Sequence, residues 1–185
     1  AMVRYANELM TREEIGGNKE EAIKYYKMAI DGGNTDAMCN YADMLFYGKN
    51  GIPVDKQEAL KYLKMAIDRG DDDAMNIYAD FIYTKKIFDE DIEKYLKMAI
   101  NRGNTTAMVY YGCLLYKGIL VDINKQEGIK YLKMATDRGN NEAAEKLATA
   151  LFFENGSVAN EEIMKYFKTA ADNGCIEAMS SYAII

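Results

Sequence analysis

Residues 55–75 read DKQEALKYLKMAIDRGDDDAM, and the rest of the chain repeats this stretch. Near-copies occupy residues 18–38, 88–108, 124–144 and 159–179. Asp55 opens the stretch and Glu58 follows three residues later, just before an apolar run, which is the sign of a capping box at a helix start. Asn18 with Glu21, and Asn124 with Glu127, repeat it, whereas Asp89 and Asn160 are followed at that spacing by Ile92 and Ile163. Ala59, Leu60, Leu63, Ala66 and Ile67 then fall on one helical face, with Lys61 and Lys64 on the other. Gly70 follows the last apolar residue, where a left-handed residue closes a helix. Gly33, Gly103, Gly139 and Gly174 hold the same place, and the next residue is Asn34, Asp71, Asn104, Asn140 or Cys175. Four of those five offer an oxygen to cap a following helix.

The following helix carries Ala37, Met38, Tyr41, Ala42, Leu45 and Phe46. Small residues recur at matching heights, at Ala6, Ala42, Ala79, Gly112 and Ala148 and again at Ala66, Ala99, Ala135 and Ala170. They allow close approach of helices, and the larger side chains fill the space between layers. A helix pair with apolar faces front and back buries both only by stacking on its neighbours. The expected fold is therefore all-α, a solenoid with repeats at about 1–33, 34–70, 71–103, 104–139 and 140–174 and a partial repeat at 175–185.

The stop glycines are spaced 37 (33 to 70), 33 (70 to 103), 36 (103 to 139) and 35 (139 to 174). The second copy reads Ala37-x-x-x-Tyr41-Ala42-x-x-Leu45-x-x-Gly48, then Gly51-Ile52-x-x-Asp55-x-x-x-Ala59-x-x-Tyr62, then Ala66-Ile67-x-x-Gly70. This resembles the Sel1-like repeat, a relative of the tetratricopeptide repeat with a more variable period. Ala often replaces the family's first Gly, Tyr its Trp, and Met its Lys. The third copy has Thr84-Lys85-Lys86-Ile87 where the turn glycines belong, and the fourth has Leu120-Val121-Asp122 in place of the second glycine. The resemblance implies a right-handed α-solenoid acting as an adaptor in assembly and signalling complexes, with the Ala-Met helices inside and the Lys-Tyr helices outside.

Composition narrows the chemistry. The chain has 185 residues, 49% hydrophobic, one Pro and a net charge of −6, the composition of a folded protein. It contains no run of about 20 apolar residues, so no membrane insertion is expected. The first and last residues fall inside repeats, which reads as a segment of a longer array. There is no histidine, which removes the usual general base, zinc ligand and nucleophile partner. The 29 acidic residues read as a solvated helical face, so neither catalysis nor a metal or other cofactor is expected. Gly48-Lys49-Asn50-Gly51 lacks the order of a phosphate loop, and residues 68–73 lack the rest of a calcium loop. Cys39, Cys113 and Cys175 occupy non-equivalent repeat positions and read as free thiols of a reducing, cytoplasmic compartment. Lysine pairs 24/27, 61/64, 94/97, 130/133 and 165/168 form a ladder, but acidic residues at i,i+4 neutralise it, so nucleic acid is not an expected partner. Tyr25, Tyr62, Tyr95, Tyr131 and Tyr166 read as packing between layers.

The expected function is non-catalytic protein–protein interaction, with a carbohydrate- or cell-wall-associated module as the alternative. Met2, Tyr5 and Leu9 at one end, and Met179, Tyr182 and Ile184 at the other, suggest head-to-tail self-association. A binding stripe is expected on the inner helices, at i, i+4, i+7 and i+11 from the first turn. It comprises Asp36, Asn40, Asp43 and Tyr47; Asp73, Ile77, Asp80 and Thr84; Thr106, Tyr110, Cys113 and Lys117; Glu142, Lys146, Thr149 and Phe153. These residues differ from copy to copy, as recognition on a repeat scaffold requires. The acidic early members predict an extended peptide with Lys or Arg facing the N-terminal half, and Tyr110 is the expected apolar anchor.

Overall fold

The computed structural model describes residues 2–11, 19–85 and 87–184, which form eleven α-helices, one 3₁₀ turn and no strand. The expected Asn18 cap, Lys86 of the third turn and the Ile184 side chain lie outside the described residues. The helices are α1 (Met2–Thr11), α2 (Lys19–Asp31), α3 (Thr35–Tyr47), α4 (Lys56–Asp68), α5 (Asp72–Lys85), α6 (Ile92–Asn101), α7 (Thr105–Lys117), α8 (Lys125–Asp137), α9 (Asn141–Glu154), α10 (Glu161–Asp172) and α11 (Ile176–Ile184). They divide into two units, residues 1–78 and 79–185, and the cut falls within α5.

Each stop glycine ends its helix as its position predicts. Gly33, Gly70, Gly103, Gly139 and Gly174 have φ between 81° and 91°. The Gly70 N–H donates to the Ile67 carbonyl at 2.8 Å and the Asp71 N–H to the Ala66 carbonyl at 3.1 Å, the paired bonds of a Schellman closure. The same two bonds close α2, α6, α8 and α10. The residue after the glycine then serves two helices at once. The Asn34, Asp71, Asn104 and Asn140 backbones close the helix before, while their side chains accept from Ala37, Ala74, Ala107 and Ala143 N–H at 2.7–2.9 Å. This double use fixes a short connection and the angle between successive helices. Cys175 closes α10 in the same way, but its thiol meets Glu177 at 3.5 Å instead of capping α11.

The starts of α4 and α8 depart from the capping-box expectation in one half. Asp55 and Asn124 accept from Glu58 and Glu127 N–H at 2.9 and 3.1 Å. However, the Asp55 and Asn124 N–H groups donate to the Leu45 and Leu115 carbonyls at 2.9 and 2.8 Å. The reciprocal bond from Glu58 is displaced by a tertiary one, and Glu58 accepts the Tyr62 hydroxyl at 3.1 Å instead. Asn160 caps α10 through Ile163 N–H, whereas buried Asp89 accepts from Asp91 N–H and leaves α6 without a side-chain cap bond on its assigned N-cap, Asp91.

In residues 1–78, α1 packs on α2, α2 on α3 and α3 on α4. Ala22, Ala37, Ala42, Ala59 and Ala66 are fully buried, with Tyr26, Met38, Leu63, Ile67, Met75 and Tyr78 between them. In residues 79–185, successive helices from α6 to α11 pack pairwise. Their core comprises Ile82, Leu96, Met108, Tyr111, Leu114, Leu147 and Phe167. Each large apolar side chain so buried stabilises its layer by about 1.5–3 kcal/mol. The repeated tyrosines pack as expected: Tyr62 meets Tyr41 at 5.4 Å and Tyr131 meets Tyr111 at 5.1 Å between ring centroids.

Candidate partner-binding surface

In residues 1–78 the variable positions of α3 alternate with buried ones because α3 shows one stripe to its neighbours and another outward. Ala37, Met38, Tyr41, Ala42, Leu45 and Phe46 are buried, while Asp36 and Tyr47 are exposed and Asn40 and Asp43 half-buried. Asp43 pairs with Lys49 at 2.5 Å, and the same ammonium lies 5.0 Å from the Tyr47 ring centroid. Tyr47 leans edgewise on Phe46 at 5.0 Å. On α5, Asp73 is exposed and Ile77 half-buried. A hollow of about 470 Å³ opens here, with Asp36, Cys39, Asn40, Asp71, Asp73 and Ile77 in its wall. Burial, and then the surrounding Asp71, Asp36 and Asp73, push the Cys39 thiol up to about 12. It is held as a neutral thiol at physiological pH, and a neutral thiol is a poor nucleophile.

In residues 79–185 two of the corresponding positions, Tyr110 and Cys113, are buried. Asp80 and Thr149 are half-buried, and Thr84, Lys117, Glu142 and Phe153 exposed. Tyr110, the expected anchor, is only 8% exposed and stacks on Tyr83 with centroids 4.8 Å apart and planes at 20°. Burial pushes the Tyr110 hydroxyl up to about 12, reinforced by Glu142 and Asp80. Cys113 is buried beside Tyr83, and burial raises its thiol against the opposing pull of the Tyr83 hydroxyl, Lys117 and Lys146. Lys146 donates to Glu145 at 2.7 Å, and Thr149 donates to the other oxygen of the same carboxylate at 3.1 Å. Burial works against the Lys146 ammonium, but Glu145 and Glu142 hold its pKa above the usual lysine value. Phe153 is 61% exposed and turns an edge to Phe152 at 5.9 Å.

Four contributors were not legible as site residues. Tyr83 stands where α3 has Phe46, a packing position. Glu145 stands where other copies have Cys39, Asn76 and Val109, and its burial as one member of an ion pair has no signal in spacing. Ile119 and Leu120 belong to a turn. The described residues contain no group of three or more His, Cys, Asp or Glu placed to hold a metal, and no helix long and apolar enough to cross a membrane. What these surfaces offer is noncovalent recognition: exposed carboxylates, half-buried rings and an ammonium.

The Sel1 repeat family matches residues 1–34, 35–71, 105–140 and 164–175. No curated protein matches the chain. Among solved structures, a Sel1 repeat protein from Oxalobacter formigenes is 25% identical, with a TM-score of 0.69 over 97% of this chain and 75% of its own. The protective antigen c5321 of uropathogenic Escherichia coli, which has the SLR fold, is 18% identical, with a TM-score of 0.74. That match spans 99% of this chain but 40% of the antigen. The immunity protein Pa5087 from Pseudomonas aeruginosa is 20% identical over 96% of this chain and 66% of its own, with a TM-score of 0.52. With the family matched over more than half of the sequence, and with the same left-handed glycine closing a helix in five copies, the chain belongs to the Sel1 repeat family.

Proposed function

We propose that the chain is a non-catalytic scaffold that recognises a protein partner, or an extended peptide within one, through the variable positions of α3, α5, α7 and α9. One observation carries this reading. On α3 the residues repeated between copies are buried, whereas Asp36, Asn40, Asp43 and Tyr47, which change between copies, reach the surface. The same division separates buried Ala74, Met75 and Tyr78 from Asp73 and Ile77 on α5. Conserved packing with a variable outward stripe is how a repeat array presents different chemistry on one framework. In residues 1–78 the contacting residues are Asn40 and Ile77, in the wall of an acidic hollow suited to Lys or Arg, with Asp43 and Tyr47 further along α3. In residues 79–185 they are Asp80, Lys117, Lys146 and Phe153, with buried Tyr110 stacked on Tyr83 behind them. The relatives lend the carbohydrate alternative no support. Exposed Met2 and Tyr5 on α1, and Ile176, Met179 and Tyr182 on α11, favour a head-to-tail contact between copies as a second association.

The test is a peptide array of basic and acidic sequences probed with three forms of the chain. Asp36→Asn with Asp73→Asn should weaken basic peptides about tenfold and flatten their salt dependence. Lys61→Gln with Lys130→Gln should change nothing. The reverse pattern places recognition on the lysine-rich helices and defeats the proposal.

A further inference from the structure

We propose that a slot beside the α7–α8 turn receives an apolar side chain of an acidic peptide, and that an Asp or Glu next to that side chain pairs with Lys117. This deepens the scaffold reading and rests on it. The slot has a volume of about 470 Å³ and is lined by Ile82, Tyr83, Leu114, Lys117, Ile119 and Leu120. Four of the six are aliphatic, and the side-chain polar groups are the Tyr83 hydroxyl and the Lys117 ammonium. Water in such a slot finds few partners, and an apolar group that displaces it gains the hydrophobic term.

Lys117 decides the chemistry of the occupant. Its ammonium meets the neutral Tyr83 hydroxyl at 3.4 Å and stands 5.7 Å from the Tyr83 ring centroid. No carboxylate pairs with it among the described residues. Three other lysines are paired within the chain: Lys49 with Asp43, Lys125 with Glu154 and Lys146 with Glu145. Lys117 therefore keeps its charge for an outside anion, and a ring face and a hydroxyl hold it in place.

The turn itself points the same way. Leu120 has φ 63° where the corresponding turn of the second copy has Asn50 at φ 54° and Gly51 at φ 68°. A leucine in the left-handed region is strained, and strain of this kind concentrates where a side chain is needed for binding. A glycine would relax the turn but would remove a wall of the slot. Ile119 beside it is 40% exposed, an apolar group left in water until something covers it.

The experiment is selection of a random peptide library displayed on phage against the whole 185-residue chain. Enriched sequences should place Leu, Ile, Met or Phe within two residues of Asp or Glu. A synthetic copy of the most enriched peptide should lose about tenfold in affinity on Lys117→Glu and again on Ile119→Asp, both folded by circular dichroism. Lys61→Gln with Lys130→Gln should leave this peptide unaffected. Peptides that bind Lys117→Glu and Ile119→Asp as tightly as wild type overturn the slot but leave the scaffold reading standing. Enriched peptides with a basic residue beside the anchor overturn the role of Lys117. A selection that enriches nothing overturns both readings.

Discussion

The α3–α4 hairpin of residues 1–78 and the α7–α8 hairpin of residues 79–185 share one plan and differ in how closely it is drawn. The first carries Ala42 and Ala59 where the second carries Gly112 and Gly128. A Cβ on Gly112 would fall 2.9 Å from the Gly128 carbonyl oxygen, and one on Gly128 would fall 2.6 Å from the Gly112 carbonyl oxygen. The helix backbones of α7 and α8 touch, with no room for even a methyl group. The turns differ in the opposite sense. In the α3–α4 turn, Asn50 and Gly51 are left-handed at φ 54° and 68°, Lys49 pairs with Asp43, and the Gly51 carbonyl accepts from Lys19. The α7–α8 turn presents Ile119 and strained Leu120 instead. The tightly packed helices are joined by an apolar turn, and the looser helices by a polar, internally paired one.

The largest effect is expected where the backbones touch. Gly128→Ala should cost about 3 kcal/mol, because the new methyl meets backbone atoms that cannot give way. Ala59→Gly at the equivalent place in α4 should cost about 1 kcal/mol, the helix-propensity difference. Urea denaturation of the two variants checks this, and equal losses would erase the distinction between the hairpins. The turns come next. Gly51→Leu forces a leucine to φ 68° without a slot to line and should cost about 1–2 kcal/mol. Leu120→Gly should shift stability by less than about 1 kcal/mol, since relief of strain offsets the loss of a half-buried side chain. Thermal melts of this pair sharpen the comparison if Gly51→Leu is the more damaging.

The smallest effect is electrostatic and belongs to residues 79–185. Glu93 accepts from Lys97 at 2.6 Å and from the Tyr111 hydroxyl at 2.8 Å. Those two hydrogen bonds, Lys97 first, hold its carboxyl below the usual range. Leu60 takes the corresponding place in α4. A depressed carboxyl contributes stability that is present above its unfolded pKa and is lost as pH falls through its folded one. Glu93 is about half exposed, so screening keeps the contribution small. Wild type should exceed Glu93→Gln in stability at pH 7, and the difference should vanish by about pH 3. Denaturation midpoints measured across that range provide the check.

Some of this was legible and some was not, for physical reasons that differ by residue. Gly70 and Asn104 could be read directly because left-handed closure and N-capping are local: each depends on a few adjacent backbone groups. Half of the capping box at Asp55 could not, because the Leu45 carbonyl that takes its N–H arrives from another helix. The variable stripe was legible as a period. The fate of Tyr110 was not, because it depends on Tyr83, a residue 27 positions away whose repeat equivalent, Phe46, is a packing side chain. The slot was not legible because Leu120 reads as a lost glycine, and only the folded backbone shows that the turn kept its left-handed residue.

The sequence by itself determined the class of fold and the layer structure. A glycine stop, a short polar cap and a 3.6-residue apolar period are repeated five times, and each acts over a single turn of chain. Tertiary structure decided which outward residues remain available. Asp43 and Lys146 are paired within the chain, Tyr110 lies under Tyr83, and Lys117 rests on a ring with no carboxylate partner among the described residues. Those outcomes depend on contacts between helices that are distant in sequence, and the side-chain period records only which face a residue takes, not what it meets there.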